Sequence, residues 1–146
     1  MKRLSKLMVL KGLATALAMT AATVAVQAQQ MSVSVPFKFE AGGKPFPPGE
    51  YSVELKPNGA IGLRPAPNGV ELVIPAKERL KQGTRPIEQP ELVFDMVGNF
   101  EPSFSEYVTD YLLSEVWLPR ADGVVVLATS GKHDHKTIAG RLAPTR

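Results

Sequence analysis

The chain has 146 residues, 44% hydrophobic and 21% charged, with no Cys; it is long enough for one domain with its own core and excludes disulfides and thiol chemistry. Its formal charge is +3, from 17 Lys plus Arg against 14 Asp plus Glu. Four of the basic residues (Lys2, Arg3, Lys6, Lys11) fall within residues 1–28, which hold no acid, so residues 29–146 carry 13 basic against 14 acidic side chains, a balance that argues against a nucleic-acid partner.

Those four positive residues are followed by the apolar run L-A-T-A-L-A-M-T-A-A-T-V-A-V (13–26) and then V-Q-A (26–28). A positive start, a short apolar stretch and a small-residue cleavage site make a secretory signal peptide over 1–28, cut after Ala28. The apolar run is shorter than the roughly 20 residues a spanning helix needs, so no membrane span is expected after cleavage. The expected product is a single domain, 29–146, in the periplasm or outside the cell.

M-S-V-S-V-P-F-K-F-E (31–40) alternates apolar and polar residues, the period of a strand with one face on a core. Pro36 cannot donate to a ladder, which places it at an edge or a bulge. A-G-G-K-P-F-P-P-G-E (41–50) is turn chemistry. Y-S-V-E-L-K (51–56), A-I-G-L-R (60–64) and V-E-L-V-I-P (70–75) are separated by Pro-Asn-Gly at 57–59 and again at 67–69, which predicts a three-stranded meander with tight turns.

Residues 76–90 lose the alternation and read as a polar connection, with one helical turn over K-E-R-L-K. Its Lys77, Arg79, Lys81 and Arg85 are diluted by Glu78 and Glu88 and have no glycine cradle for a phosphate. E-L-V-F-D-M-V (91–97) returns to strand, and G-N-F-E-P-S-F-S-E-Y-V-T-D (98–110) reads as an aromatic and acidic loop. D-Y-L-L-S-E-V-W-L-P (110–119), V-V-V-L-A-T (124–129) and K-T-I-A-G-R-L (136–142) complete the strands. The total is about eight strands in an all-β domain, an antiparallel β-sandwich or partly open barrel. Trp117, Tyr51 and Tyr111 are expected in or beside the core, each tyrosine hydroxyl needing a partner.

V-P-F-K-F-E-A-G-G-K-P-F-P-P-G-E-Y-S-V (35–53), with P-E-L-V-F-D (90–95) and Y-L-L-S-E-V-W (111–117), resembles a group of small exported proteins abundant in Acidobacteria and similar soil bacteria. The group's patterns run V-P-F-x-F-x-x-G-x-x-x-x-P-A-G-x-Y and F-L-x-E-x-W; Pro48 departs from the small residue usual there. The resemblance implies an exported all-β protein and lends no catalytic residue.

Two sets of side chains carry chemistry. His133 and His135, the only histidines, lie in S-G-K-H-D-H-K (130–136). On an extended strand such a pair points one way, roughly 6.6 Å apart along the chain, and is a candidate ligand pair for a divalent metal. A third ligand must come from a carboxylate, water or a second chain; Asp134 faces the other side, leaving Asp110 or Glu115. Against this stands a plain hairpin around Gly131 that exposes both rings. Phe100, Phe104 and Tyr107 form the second set, able to stack on carbohydrate or on a protein partner, or to fold over one end of the sandwich. No G-x-S-x-G elbow accompanies Ser130, and no pair of carboxylates stands out. The sequence therefore favours a non-enzymatic exported module that binds a partner or envelope polymer, or builds envelope structure. A metal-binding protein using the His-x-His pair is the alternative, and a small hydrolase the least supported.

Overall fold

In the computed structural model, which describes residues 29–143 apart from 84–86, 104–105 and 132, the first alternating segment becomes β1 (Gln30–Val35). Met31, Val33 and Val35 are buried and Ser32 and Ser34 exposed, as the period requires. The signal peptide expected over 1–28 lies outside the described residues, as does Arg85. Pro36 ends β1, and the chain resumes as the short hairpin β2 (Phe39–Ala41) and β3 (Lys44–Phe46).

The meander is present. β4 (Gly49–Leu55), β5 (Ile61–Pro65) and β6 (Leu72–Ile74) pair in sequence, all antiparallel. At the first Asn-Gly, the Gly59 N–H donates to the Lys56 carbonyl and the Ala60 N–H to Asn58 Oδ1. With β12 (Arg141–Leu142) these strands make one sheet, in the order β12-β1-β4-β5-β6.

The second sheet is built on a long hairpin, β8 (Glu91–Glu101) and β9 (Glu106–Trp117). This corrects the expected loop over 98–110: the ladder continues through Gly98↔Thr109 and Phe100↔Tyr107, and only the residues between 101 and 106 connect the strands. Thr109, Val108 and Tyr107 suit an extended backbone, and their pairing outweighs the turn signals of Gly98 and Asn99. β7 (Glu78–Leu80) and β10 (Gly123–Val125) lie on one side of the hairpin and β11 (Asp134–Ala139) on the other, in the order β11-β8-β9-β10-β7. The expected helical turn over K-E-R-L-K is therefore strand β7, paired with β10. β2 joins this sheet by a single parallel bridge, Glu40↔Leu112. No helix occurs among the described residues, and twelve strands, most of them short, take the place of about eight, because prolines and glycines break the segments that change sheet.

The core lies between the sheets. Met31, Val33, Val53, Ile61 and Leu63 of the first pack with Leu92, Phe94, Leu113 and Val116 of the second. Burying each such side chain contributes about 1.5–3 kcal/mol. Phe39 sits among three rings, with centroids 5.4 Å from Phe46, 5.1 Å from Tyr51 and 5.3 Å from Phe94. Tyr51 is buried with its hydroxyl donating to the Pro47 carbonyl, and Tyr111 stacks on Phe37 at 3.9 Å. Trp117 is only half-buried; its indole covers Gly123 across the turn and does not join the core cluster.

Candidate metal centre

Strand β8 alternates like β1, and that alternation creates the site. Leu92 and Phe94 point into the sandwich, so Val93 and Asp95 point to the outer face of the second sheet. Asp95 is nevertheless only 2% exposed. A buried carboxylate is costly unless it is paired or hydrogen-bonded, and the topology supplies the partners. β10 and β11 stand at opposite sides of the β8–β9 hairpin, so the connection from Val126 to His133 must cross both strands over their outer face. The expected hairpin at 130–136 is thus a crossover, because its two strands are not neighbours.

A β-bulge anchors the start of that crossover. The β8–β9 register shifts between Val93 and Phe94, leaving Ser114 as the extra residue of β9. The Ser114 hydroxyl donates to the Val93 carbonyl, and its own carbonyl accepts the N–H groups of Val126 and Leu127, at 2.8 and 3.3 Å. The far end turns at Gly131, whose φ of +88° is one that side-chain-bearing residues rarely adopt. From there His133 is laid over Asp95, and β11 pairs with β8 in the register that sets His135 opposite Asp95.

The result is one carboxylate between two imidazoles. His135 Nδ1 lies 2.9 Å from Asp95 Oδ1, and His133 Nε2 lies 3.5 Å from Asp95 Oδ2. The ring centroids are 4.9 Å apart and the planes nearly perpendicular, and one ligand atom from each of the three residues falls within 4.8 Å of the others. The other nitrogen of His133, Nδ1, is 2.9 Å from the Gly131 carbonyl oxygen. A carbonyl only accepts, so Nδ1 carries the proton, and in a neutral ring the lone pair is then on Nε2. That lone pair faces the Asp95 carboxylate. A metal ion placed between the two would accept a lone pair from each. Fixing a metal-binding histidine through its other nitrogen to a backbone carbonyl is what orients such ligands generally.

Neither carboxylate expected from the sequence takes part. Asp110 accepts a hydrogen bond from the Asn99 side chain, and Glu115 accepts one from Trp117 Nε1 at 3.3 Å. Asp134 is outside the cluster, as its alternation predicts. Asp95 was legible only as a charge between Phe94 and Met96; its pairing with a segment 40 residues later was not. Of the aromatic set, Phe100 and Tyr107 are backbone partners near the hairpin end; their side chains, and Phe104 altogether, lie outside the described residues.

Compared with protein-family models, with curated proteins and with solved structures, the chain matches none.

Proposed function

We propose that this chain is an exported β-sandwich domain that binds a divalent first-row transition metal through Asp95, His133 and His135. The observation that carries the reading is the face-off between His133 Nε2 and the buried Asp95 carboxylate, with the His133 tautomer held by the Gly131 carbonyl. Two imidazoles and a carboxylate suit zinc, copper, nickel or iron, and are too nitrogen-rich for calcium or magnesium. The protein's role is that of a binding module. Export is carried by the N-terminal charge and apolar pattern of residues 1–28 and by the resemblance to exported proteins.

The test is calorimetric titration of zinc and copper into the protein, beside Asp95→Asn and a His133→Ala/His135→Ala double variant. Saturable binding of one ion per chain, submicromolar in the parent, weakened at least tenfold in Asp95→Asn and lost in the double variant, is the expected result. Weak heat alike in all three proteins would discard the site and leave a proton-bridged cluster. Intact-mass measurement on envelope-fraction material is expected to give a chain that starts at Gln29.

A further inference from the structure

We infer that a metal ion held by Asp95, His133 and His135 keeps a coordination position open toward the free edge of β11, and takes its next donor, a nitrogen or oxygen ligand, from outside the chain. The inference rests on the metal reading above and concerns what such an ion would do.

Closed, structural zinc sites use four protein ligands, whereas sites with three leave a position for an exchangeable ligand. Among the described residues the cluster has three members. Their exposure is graded in one direction: the Asp95 side chain is 3% exposed, His133 16% and His135 58%. The ion is therefore walled in by β8 and the crossover and open on the His135 side. That side is the edge of the sheet, since among the described residues β11 pairs only with β8 in it. The chain after β11 leaves for the other sheet, where β12 pairs with β1, so no later strand among the described residues covers His135.

The geometry of a ladder says where an outside donor would come. Asp95 reaches the site because it stands opposite His135 on the neighbouring strand. A residue on a strand laid along the other edge of β11 would stand opposite His135 in the same way, with Cβ atoms about 4.5–5.5 Å apart. The donor has two possible sources of the same chemistry: a free imidazole- or carboxylate-bearing molecule, or such a side chain on a second copy of this chain. Asp134 and Lys136, both exposed on β11, discourage indiscriminate edge pairing, so a second copy would be recruited by the metal and not by the edge alone.

The experiment loads the protein with one equivalent of copper(II), counts coordinated nitrogens by electron paramagnetic resonance, and follows the spectrum as imidazole is added in the millimolar range. Sedimentation is run on the same samples. A third nitrogen appearing on a monomer means that the open position takes a free ligand. A copper-dependent dimer, lost in His135→Ala, means that a second copy supplies the donor. A loaded monomer whose spectrum ignores imidazole, at concentrations that complex free copper, overturns this inference and leaves the metal reading standing. Failure to bind copper, zinc, nickel or cobalt at all would remove both.

Discussion

His135 stands directly opposite Asp95 across the β8–β11 ladder, and the contact between them closes a separation of 40 residues in the chain. On the metal reading proposed above, affinity would be a property of the fold, since neither residue has its partner until the second sheet is assembled. Binding that favours the folded state adds stability by mass action, about 2.7 kcal/mol at a hundredfold excess over Kd. Zinc at that excess is expected to raise the melting temperature by roughly 10 °C, and EDTA to reverse it. Differential scanning calorimetry with and without zinc measures the shift; an unchanged transition in the parent protein would count against the site.

Removing the carboxylate alone separates charge from packing. Asp95→Asn keeps the volume and one acceptor oxygen, so the fold is expected to persist while zinc affinity falls at least tenfold. Circular dichroism and the same titration report the two effects independently. His133→Ala is expected to lose more affinity than Asp134→Ala, which lies outside the cluster and should leave binding unchanged.

Phe39 is the hub of the aromatic core, 2% exposed and in ring contact with Phe46, Tyr51 and Phe94. Phe39→Ala is expected to cost about 3–5 kcal/mol. A urea titration reads this as a lowered midpoint at nearly constant slope. Because Phe39 joins the β2–β3 hairpin to both sheets, the loss should appear as a single transition.

Gly123 lies against the face of the only tryptophan. A Cβ there would come within 2.7 Å of three Trp117 ring atoms, so the indole must move. Gly123→Ala is expected to cost about 1–3 kcal/mol through this overpacking and to shift the emission of the single indole. Steady-state fluorescence together with chemical denaturation checks both halves of the expectation.

On the outer face of the first sheet, Lys56 Nζ is 2.6 Å from Glu71 Oε1, and Arg64 reaches the other carboxylate oxygen at 3.1 Å. The hydrogen bond from Lys56 holds the Glu71 carboxyl below its ordinary value of 4.5, with the nearby charges adding to it against some desolvation. A depressed carboxyl stabilises the fold above its unfolded value, and that contribution is lost as pH falls through the folded value. Lys56 is raised above 10.5 chiefly by the same hydrogen bond, so its contribution is present at neutral pH and fades only as pH rises beyond that. Thermal unfolding from pH 6 down to pH 3 is therefore expected to fall more steeply in the parent than in Glu71→Gln. Parallel curves would show that the pair does not contribute.

The strands and their faces were legible wherever local period and local turn chemistry agree, as in β1 and the β4–β5 hairpin around Pro57-Asn58-Gly59; the second Pro-Asn-Gly is not a tight turn and lies in the longer connection between Pro65 and Leu72. Legibility failed where pairing overrides local signals. Gly98 and Asn99 look like a turn, yet each is one rung of an 11-residue strand held by β9. The histidines were legible as a pair because their spacing is local. Their carboxylate was not, because the choice of Asp95 over Asp110 or Glu115 depends on strand order, on the bulge at Ser114 and on a crossover, none of which is written in neighbouring residues.

The chain also changes sheet at Gly140, where a Cβ would run into Met31 Cε and come within 2.9 Å of the Ser32 carbonyl oxygen. β11 before it is exposed along almost its whole length, with Ile138 its only half-buried side chain. A strand with so little to bury is weakly held in register, and a slip of one residue would turn every side chain to the opposite face. It would also set Lys136 or Asp134 against Asp95: the first a rival ion pair, the second a clash of like charges. The His135–Asp95 contact, the close fit of Gly140 against β1 and the Gly140 N–H bond to the Pro90 carbonyl all oppose this slip. An ion bound between the histidines and the carboxylate would thus proofread the alignment of the last strand, because only the correct rung assembles all three donors.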